Sequence, residues 1–320
     1  MAEYTSNRPR AYSNPNKRAI RQLLAAEACE PMARRMAAEH PDRFKFHPTT
    51  WGKFPDGTDK IIIGGYTPTN ELAGEHVVLL CSFHNNDVTW SQFQVMIVLL
   101  QSFIESLTVV LPFYPVGTME RVVTEGEVAT ANTYAQMFST LPSCGRPTRL
   151  MTYDIHTLQN RFYLSGATLA SLHTTIPCLL PLLGPAGVDA VAFPDDGAAK
   201  RFKHMFDADR YAIIVCGKVR DGDKRVVTVQ DGDATGRRVV VVDDLVQTGG
   251  TRAMKSASSA SASSGDMTMV PAMASLSCAS MKRTVEITFC SRSISCLRQM
   301  LSGLPRPPSA LMPCLVASPL

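Results

Sequence analysis

The chain has 320 residues, 45% of them apolar, and a formal net charge of +4 at neutral pH. Its mean hydropathy of 0.00 and the lack of any uninterrupted apolar run of ~18–20 residues exclude a membrane-spanning helix from the expected elements. The positive charge does not point to nucleic acid: through Thr251 the chain carries 25 basic and 26 acidic side chains, and the excess lies wholly beyond it. Nine cysteines without a C-x-x-C pair give neither a zinc motif nor a disulfide framework, and reduced, mostly buried thiols are expected. The segment Met1 to Arg21 lacks the apolar centre of a signal peptide, and Glu3, Glu27 and Glu30 argue against a basic organellar leader, so the expectation is a cytoplasmic protein. The length fits two domains.

In chain order, residues 1–17 are polar and rich in Asn, Ser and Pro, which predicts disorder. From Arg18 to Glu39 the spacing of Ile20, Leu23, Leu24, Ala28 and Met32 predicts a helix kinked or split at Pro31. A turn at Phe54-Pro55-Asp56-Gly57 precedes an expected strand at Ile61-Ile62-Ile63. An alternation of strand and helix then begins. Strands are expected at His76–Cys81, Leu107–Phe113 and Leu150–Ile155, and helices at Ser91–Glu105 and Thr124–Phe138, the latter entered through Glu125 and Glu127. Thr174 to Pro185 holds three prolines and is expected to be a hinge. A second unit follows, with strands at Val188–Phe193, Tyr211–Cys216, Val226–Val229 and Arg238–Val242 and a helix at Gly197–Phe206. Such an alternation predicts an α/β fold with mainly parallel sheets.

The most informative stretch is RRVVVVDDLVQTGGT, Arg237 to Thr251. Four valines running into Asp243 and Asp244 read as a buried parallel strand whose carboxyl end carries two acids, where ligands of open α/β sheets bind. The Thr248-Gly249-Gly250-Thr251 loop brings backbone N–H groups and hydroxyls together, as a phosphate requires. No Gly-Lys-Ser/Thr follows the glycines, so this is not a Walker A loop. Vicinal carboxylates beside a phosphate loop fit a phosphorylated sugar.

Other candidates stand at strand ends or in loops. Asp154 and His156 flank Ile155 and are expected on one side of an extended chain. Asp195-Asp196-Gly197 fits a helix N-cap or a ligand site. Glu120-Arg121 follows Pro115-Val116-Gly117. Lys218 and Arg220 open a charged segment to Arg225 that reads as a solvated loop or as a mobile lid bearing cations. Alone, Asp154 and His156 are read equally as ordinary structure and the other candidates more readily so; their succession is what discriminates.

That succession, in PVGTMERVVTEGEVATA, YDIHTLQNRFY, VAFPDDGAAKRF, KVRDGDKR and VVVVDDLVQTGGT, resembles the plant-type branch of the ribose-phosphate pyrophosphokinases, from about Trp51 to Thr251. The resemblance implies two phosphoribosyltransferase-like domains, 18–173 on the ATP side and 174–251 on the ribose 5-phosphate side. It implies transfer of the diphosphate of MgATP to the C1 hydroxyl of ribose 5-phosphate in a homo-oligomer, with magnesium as cofactor. His156 and Asp195 would then hold the metal, Arg121 the nucleotide phosphates, and Phe54 and Asp56 the adenine of a neighbouring subunit's site. Lys218 and Arg220 would stabilise the transferred phosphoryl group, and Asp243, Asp244, Thr248, Gly249, Gly250 and Thr251 would take ribose 5-phosphate. The resemblance stops near Thr251. Residues 252–320 contain 15 serines and no strand–helix rhythm, so an atypical, incomplete end to the second domain is expected. The alternative reading is therefore a catalytically impaired regulatory or binding subunit of the same family.

Overall fold

The computed structural model describes residues 20–166, 168–221 and 224–245. Two sheets organise them. The first has six strands in the order β2-β1-β3-β4-β5-β6, all parallel. Its strands are β1 (Arg21–Ala25), β2 (Phe44–Phe46), β3 (His76–Leu80), β4 (Ser106–Leu111), β5 (Thr148–Tyr153) and β6 (Thr168–His173). Helices α1 (Glu30–Glu39), α2 (Asn86–Leu100) and α3 (Thr130–Ser139) connect them.

Alternate residues of each strand feed two separate cores. Leu24, Val77, Leu79, Val109 and Leu150 pack with Phe93, Met96 and Leu99 of α2 and Phe138 of α3. Leu23, Ala25, Val78, Leu80 and Met151 pack with Ala33 and Met36 of α1. Burial on both faces is why these strands read as unbroken apolar runs rather than alternating ones. Each fully buried Leu contributes roughly 1.5–3 kcal/mol.

The second sheet has the order β10-β7-β8-β9, built from β7 (Ala190–Phe193), β8 (Ala212–Asp221), β9 (Lys224–Asp231) and β10 (Val239–Val241). β10, β7 and β8 are parallel, and β8 pairs with β9 antiparallel. Helices α4 (Ile176–Leu183) and α5 (Asp196–Phe202) pack Leu179, Leu183 and Phe202 onto Val191, Phe193 and Val240. The mainly parallel α/β expectation holds for both sheets.

Several local expectations are corrected. The first half of the expected helix over Arg18–Glu39 is strand β1. Leu23 and Leu24 are adjacent and both fully buried, which a strand between two neighbours achieves and which overrides the helical spacing of three leucine and isoleucine positions. Pro31 does not kink α1. It sits in the first turn, where its missing N–H has no intrahelical partner to lose. Ile61-Ile62-Ile63 forms no strand; Ile62 makes a single isolated bridge to Thr50 and is exposed.

α3 begins at Thr130 rather than Thr124. Gly126 has a φ of +87°, outside the right-handed helical region. Glu127 instead accepts the N–H groups of Val123 (2.8 Å) and Thr124 (3.3 Å). The expected proline hinge is mostly helix α4, with Pro177 in its first turn and Pro181 inside, held by the apolar stripe Ile176, Leu179 and Leu183. The charged segment from Lys218 is not a loop. β8 runs to Asp221 and β9 starts at Lys224, paired antiparallel with Lys218 opposite Val227 and Arg220 opposite Arg225.

Candidate active site

Three parallel strands deliver the candidate residues at their carboxyl ends. β5 leads into Asp154-Ile155-His156, β7 into Asp195, and β10 into Asp243-Asp244. Two of these strands, β7 and β10, are neighbours in the second sheet, whereas β5 belongs to the first.

The structure joins them. His156 Nδ1 lies 2.7 Å from Asp244 Oδ2. The hydrogen bond to this carboxylate raises the His156 imidazole above its usual value, against the opposing effect of burial. Burial works against ionisation of Asp244, but the hydrogen bond to His156 and the nearby positive charge of Arg201 outweigh it and hold the carboxyl low. Asp243 goes the other way. Burial, reinforced by its neighbour Asp244 and by Asp195, pushes its carboxyl up to about 7. Two adjacent acids are thus driven apart by position: one is paired with a cation, the other is buried among negative groups.

Asp154 and His156 do not act together as an extended chain would require. Asp154 has a φ of +43°, in the left-handed region that a non-glycine residue seldom occupies. Its Oδ2 accepts the backbone N–H (2.9 Å) and the hydroxyl (2.5 Å) of Thr175, which ties the end of β5 to the start of α4. Its Oδ1 is buried without a hydrogen-bond partner. The neighbouring cavity is lined by Asp154, Thr175, Phe202, Val242 and Asp243.

Asp195 is the N-cap of α5, accepting from Ala198 N at 3.0 Å. It presents its charge beside Asp243, so its cap role and its place in the acidic cluster coexist. A small, solvent-open cleft runs along His156, Asp244 and Leu245 and against Tyr114, Gly117 and Thr118. Asn160 fixes the 117 loop by donating to Gly117 O at 2.9 Å, and Tyr163 donates to Glu120 O at 3.1 Å. The Arg121 side chain is 82% exposed, 3.4 Å from Glu120, and does not line this cleft. Phe54 and Asp56 do not line this cleft. They sit on a separate turn, where Asp56 accepts from Thr58 N (3.0 Å) and Thr58 Oγ1 (2.7 Å). Thr248, Gly249, Gly250, Thr251 and residues 252–320 lie outside the described residues.

Arg201 is a site residue that sequence reasoning missed. From α5 it donates to the carbonyl oxygens of Ile155 and of His156, the latter at 3.2 Å. The only signal was a basic residue in the last turn of the helix capped by Asp195.

Among the described residues no three His, Cys, Asp or Glu side chains converge as a closed metal site. The donor chemistry still fits a magnesium ion, which keeps several waters and binds through one or two protein groups plus phosphates. A histidine whose first ring nitrogen is held by a carboxylate is oriented as ligating histidines are.

No protein-family model matches the chain. Two mainly parallel sheets with acids at their strand ends define an α/β protein with a ligand site of the strand-end kind. A crystal structure of phosphoribosylpyrophosphate synthetase from Mycobacterium smegmatis shares that fold, with a TM-score of 0.57 and 21% identity over 73% of this chain and 74% of that one. Ribose-phosphate pyrophosphokinase 4 of Oryza sativa is 43% identical over 233 residues, 72% of this chain and 70% of the relative. Ribose-phosphate pyrophosphokinase 3, chloroplastic, of Arabidopsis thaliana is 43% identical over 72% of this chain and 55% of the relative. The chain belongs to the ribose-phosphate pyrophosphokinase family. Among the described residues no helix is long and apolar enough to cross a membrane, and a chloroplastic relative leaves the cytoplasmic expectation without support of its own.

Proposed function

We propose that the chain transfers the diphosphate of MgATP to the C1 hydroxyl of ribose 5-phosphate, giving 5-phosphoribosyl 1-diphosphate and AMP. The observation that carries this reading, beside family membership, is the His156–Asp244 contact. It brings the nucleotide-side strand end of the first sheet against the sugar-side strand end of the second. Transfer between two phosphorylated substrates is mainly positioning and charge neutralisation, and a cleft between two such ends supplies both.

Residues take the following parts in this reading. Asp243 and Asp244 hydrogen-bond the ribose hydroxyls, and residues Thr248 to Thr251 hold the 5-phosphate. Arg121 takes the nucleotide phosphates. Lys218 and Arg220, carried on the β8–β9 hairpin, neutralise charge on the transferred group. His156 and Asp195 would hold magnesium, which when bound neutralises phosphate charge and orients the diphosphate. Phe54 and Asp56 contact adenine, in a neighbouring subunit's site because they stand away from this chain's own cleft. Residues 18–173 and 174–251 form the two domains, and their boundary falls between β6 and α4.

The test is AMP release by purified protein given ATP, magnesium and ribose 5-phosphate, beside Lys218→Ala. Formation of AMP that requires the sugar phosphate and falls by about a hundredfold or more in the variant is expected for loss of a group acting on the transition state. Sugar-independent release of AMP, or folded protein releasing none, overturns the proposal.

A further inference from the structure

The turn bearing Phe54 and Asp56 is held by a device that its reading as a nucleotide contact does not by itself require. Its two arms bridge at Thr50–Ile62 and at Lys53–Asp59. Gly57 closes the tip at a φ of +86°, a conformation glycine adopts without steric cost. Phe54 stands 47% exposed at the tip, with the Lys60 ammonium 5.5 Å from its ring centroid.

The arms are clamped onto α2. Asp59 has a side chain only 6% exposed. Its Oδ1 accepts from Lys53 Nζ at 2.7 Å and from Ser91 Oγ at 2.8 Å, and its Oδ2 from Gln94 Nε2 at 2.5 Å. Lys53 also reaches Asp87 Oδ1 at 2.8 Å. Asp87, Ser91 and Gln94 follow one another at four and three residues, so they form one stripe on successive helical turns. That stripe is a polar seam on a helix whose Phe93, Met96 and Leu99 are buried in the core. Burial works against charge on Asp59, yet the donors from Lys53, Ser91 and Gln94 outweigh it and hold its carboxyl low. A charged group this enclosed is costly unless it is paired and hydrogen-bonded, and here three donors from two elements, the facing arm and α2, engage it.

We propose that Asp59 is a positioning residue for nucleotide binding: through Lys53, Ser91 and Gln94 it locks the Phe54–Asp56 turn onto α2 before the base arrives. The proposal rests on the reading of that turn as an adenine contact. A base stacking on Phe54 then meets an ordered surface and does not bear the cost of ordering the turn. Such a role acts on substrate binding and not on the transferring atoms, so it appears in KM for ATP and leaves kcat in place.

The experiment measures AMP formation by the full chain for Asp59→Asn, Phe54→Ala and the double variant, with thermal melts beside them. Asp59→Asn is expected to raise KM for ATP by about tenfold, with kcat and KM for ribose 5-phosphate changed less than about twofold. Phe54→Ala should raise the same KM. The double variant should fall short of the product of the two factors, since both act on one contact. A raised KM in Phe54→Ala with an unchanged one in Asp59→Asn overturns the positioning role and spares the turn's reading. An unchanged KM in Phe54→Ala removes the reading of the turn and the proposal with it. Should Asp59→Asn fail to fold, Gln94→Ala carries the test: it deletes one neutral donor, and a KM for ATP equal to that of the parent overturns the proposal.

Discussion

His156 and Asp244 stand 88 positions apart in the chain and 2.7 Å apart in space. Their two shifts point in opposite directions, the imidazole raised and the carboxyl lowered. The raised His156 contributes stability that is complete below its ordinary 6.5 and is lost as pH rises through the folded value. The lowered Asp244 contributes stability that is complete above its ordinary 3.8 and is lost as pH falls. The pair therefore contributes in full between those two values. Asp244→Asn should return the His156 titration, followed by its ring proton resonances, toward its ordinary value. Magnesium affinity, measured by titration without turnover, should weaken by about 10–100-fold, the usual cost of removing the group that orients a ligating histidine.

Asp243 titrates near neutrality because it is raised to about 7. Between its ordinary 3.8 and that value the folded chain binds more protons than the unfolded one, so Asp243 makes stability fall as pH rises through this window. Asp243→Asn should abolish that slope and stabilise the protein at pH 8 by at least about 1 kcal/mol, since one pKa unit is worth about 1.4 kcal/mol. Denaturant midpoints taken at pH 5 and pH 8 for both proteins check this. A parent midpoint that rises over that interval by more than the variant's contradicts the assignment.

Arg201 holds both carbonyls around His156 and lowers the proton affinity of Asp244. Lysine keeps the charge but cannot present two N–H groups in a fixed plane. Arg201→Lys should therefore preserve the Asp244 effect while loosening the backbone at 155–156. About a tenfold fall in kcat/KM is expected from misplacement of a positioned group, with little change in melting temperature. Arg201→Ala should lose more, because the Asp244 charge then lacks its second cation.

Far from the cleft, His47 is 5% exposed, with Nε2 2.7 Å from Gln22 Oε1. Burial pushes its imidazole below the usual value, against the attraction of Glu71. Below its ordinary 6.5 the unfolded chain takes up a proton that the folded one resists, so this residue withdraws stability as pH falls. His47→Gln should flatten stability between pH 5 and 7 as read by urea midpoints, and an unaltered slope contradicts it.

The strands β3, β4, β5 and β7 were legible because strands covered on both faces must be apolar throughout. The motifs at β5, β7 and β10 were legible because chemistry concentrates at strand ends. β1 was misread because an apolar RQLLA segment has no local property separating a central strand from a short helix. β6 was missed for the opposite reason: TLASLH is an edge strand, half exposed, with Leu169 57% accessible, so no apolar run announces it. The pairing of Lys218–Asp221 with Lys224–Val227 is set across the hairpin, and charged side chains conceal it. Arg201 was invisible in principle. It acts through backbone oxygens 45 and 46 positions away, and no spacing within the chain encodes that.

The 88-residue separation also fixes when the site comes into being. The first sheet pairs strands across shorter separations, the widest being Gln22 with Val77, whereas the imidazole–carboxylate contact closes a longer loop and waits for the second sheet. During refolding the far-ultraviolet signal of the sheets should therefore recover before the His156 shift does, and catalysis with the latter. The imidazole is thereby a clock hand for the last stage of assembly. A chain arrested earlier can hold native strands and still contain no active centre.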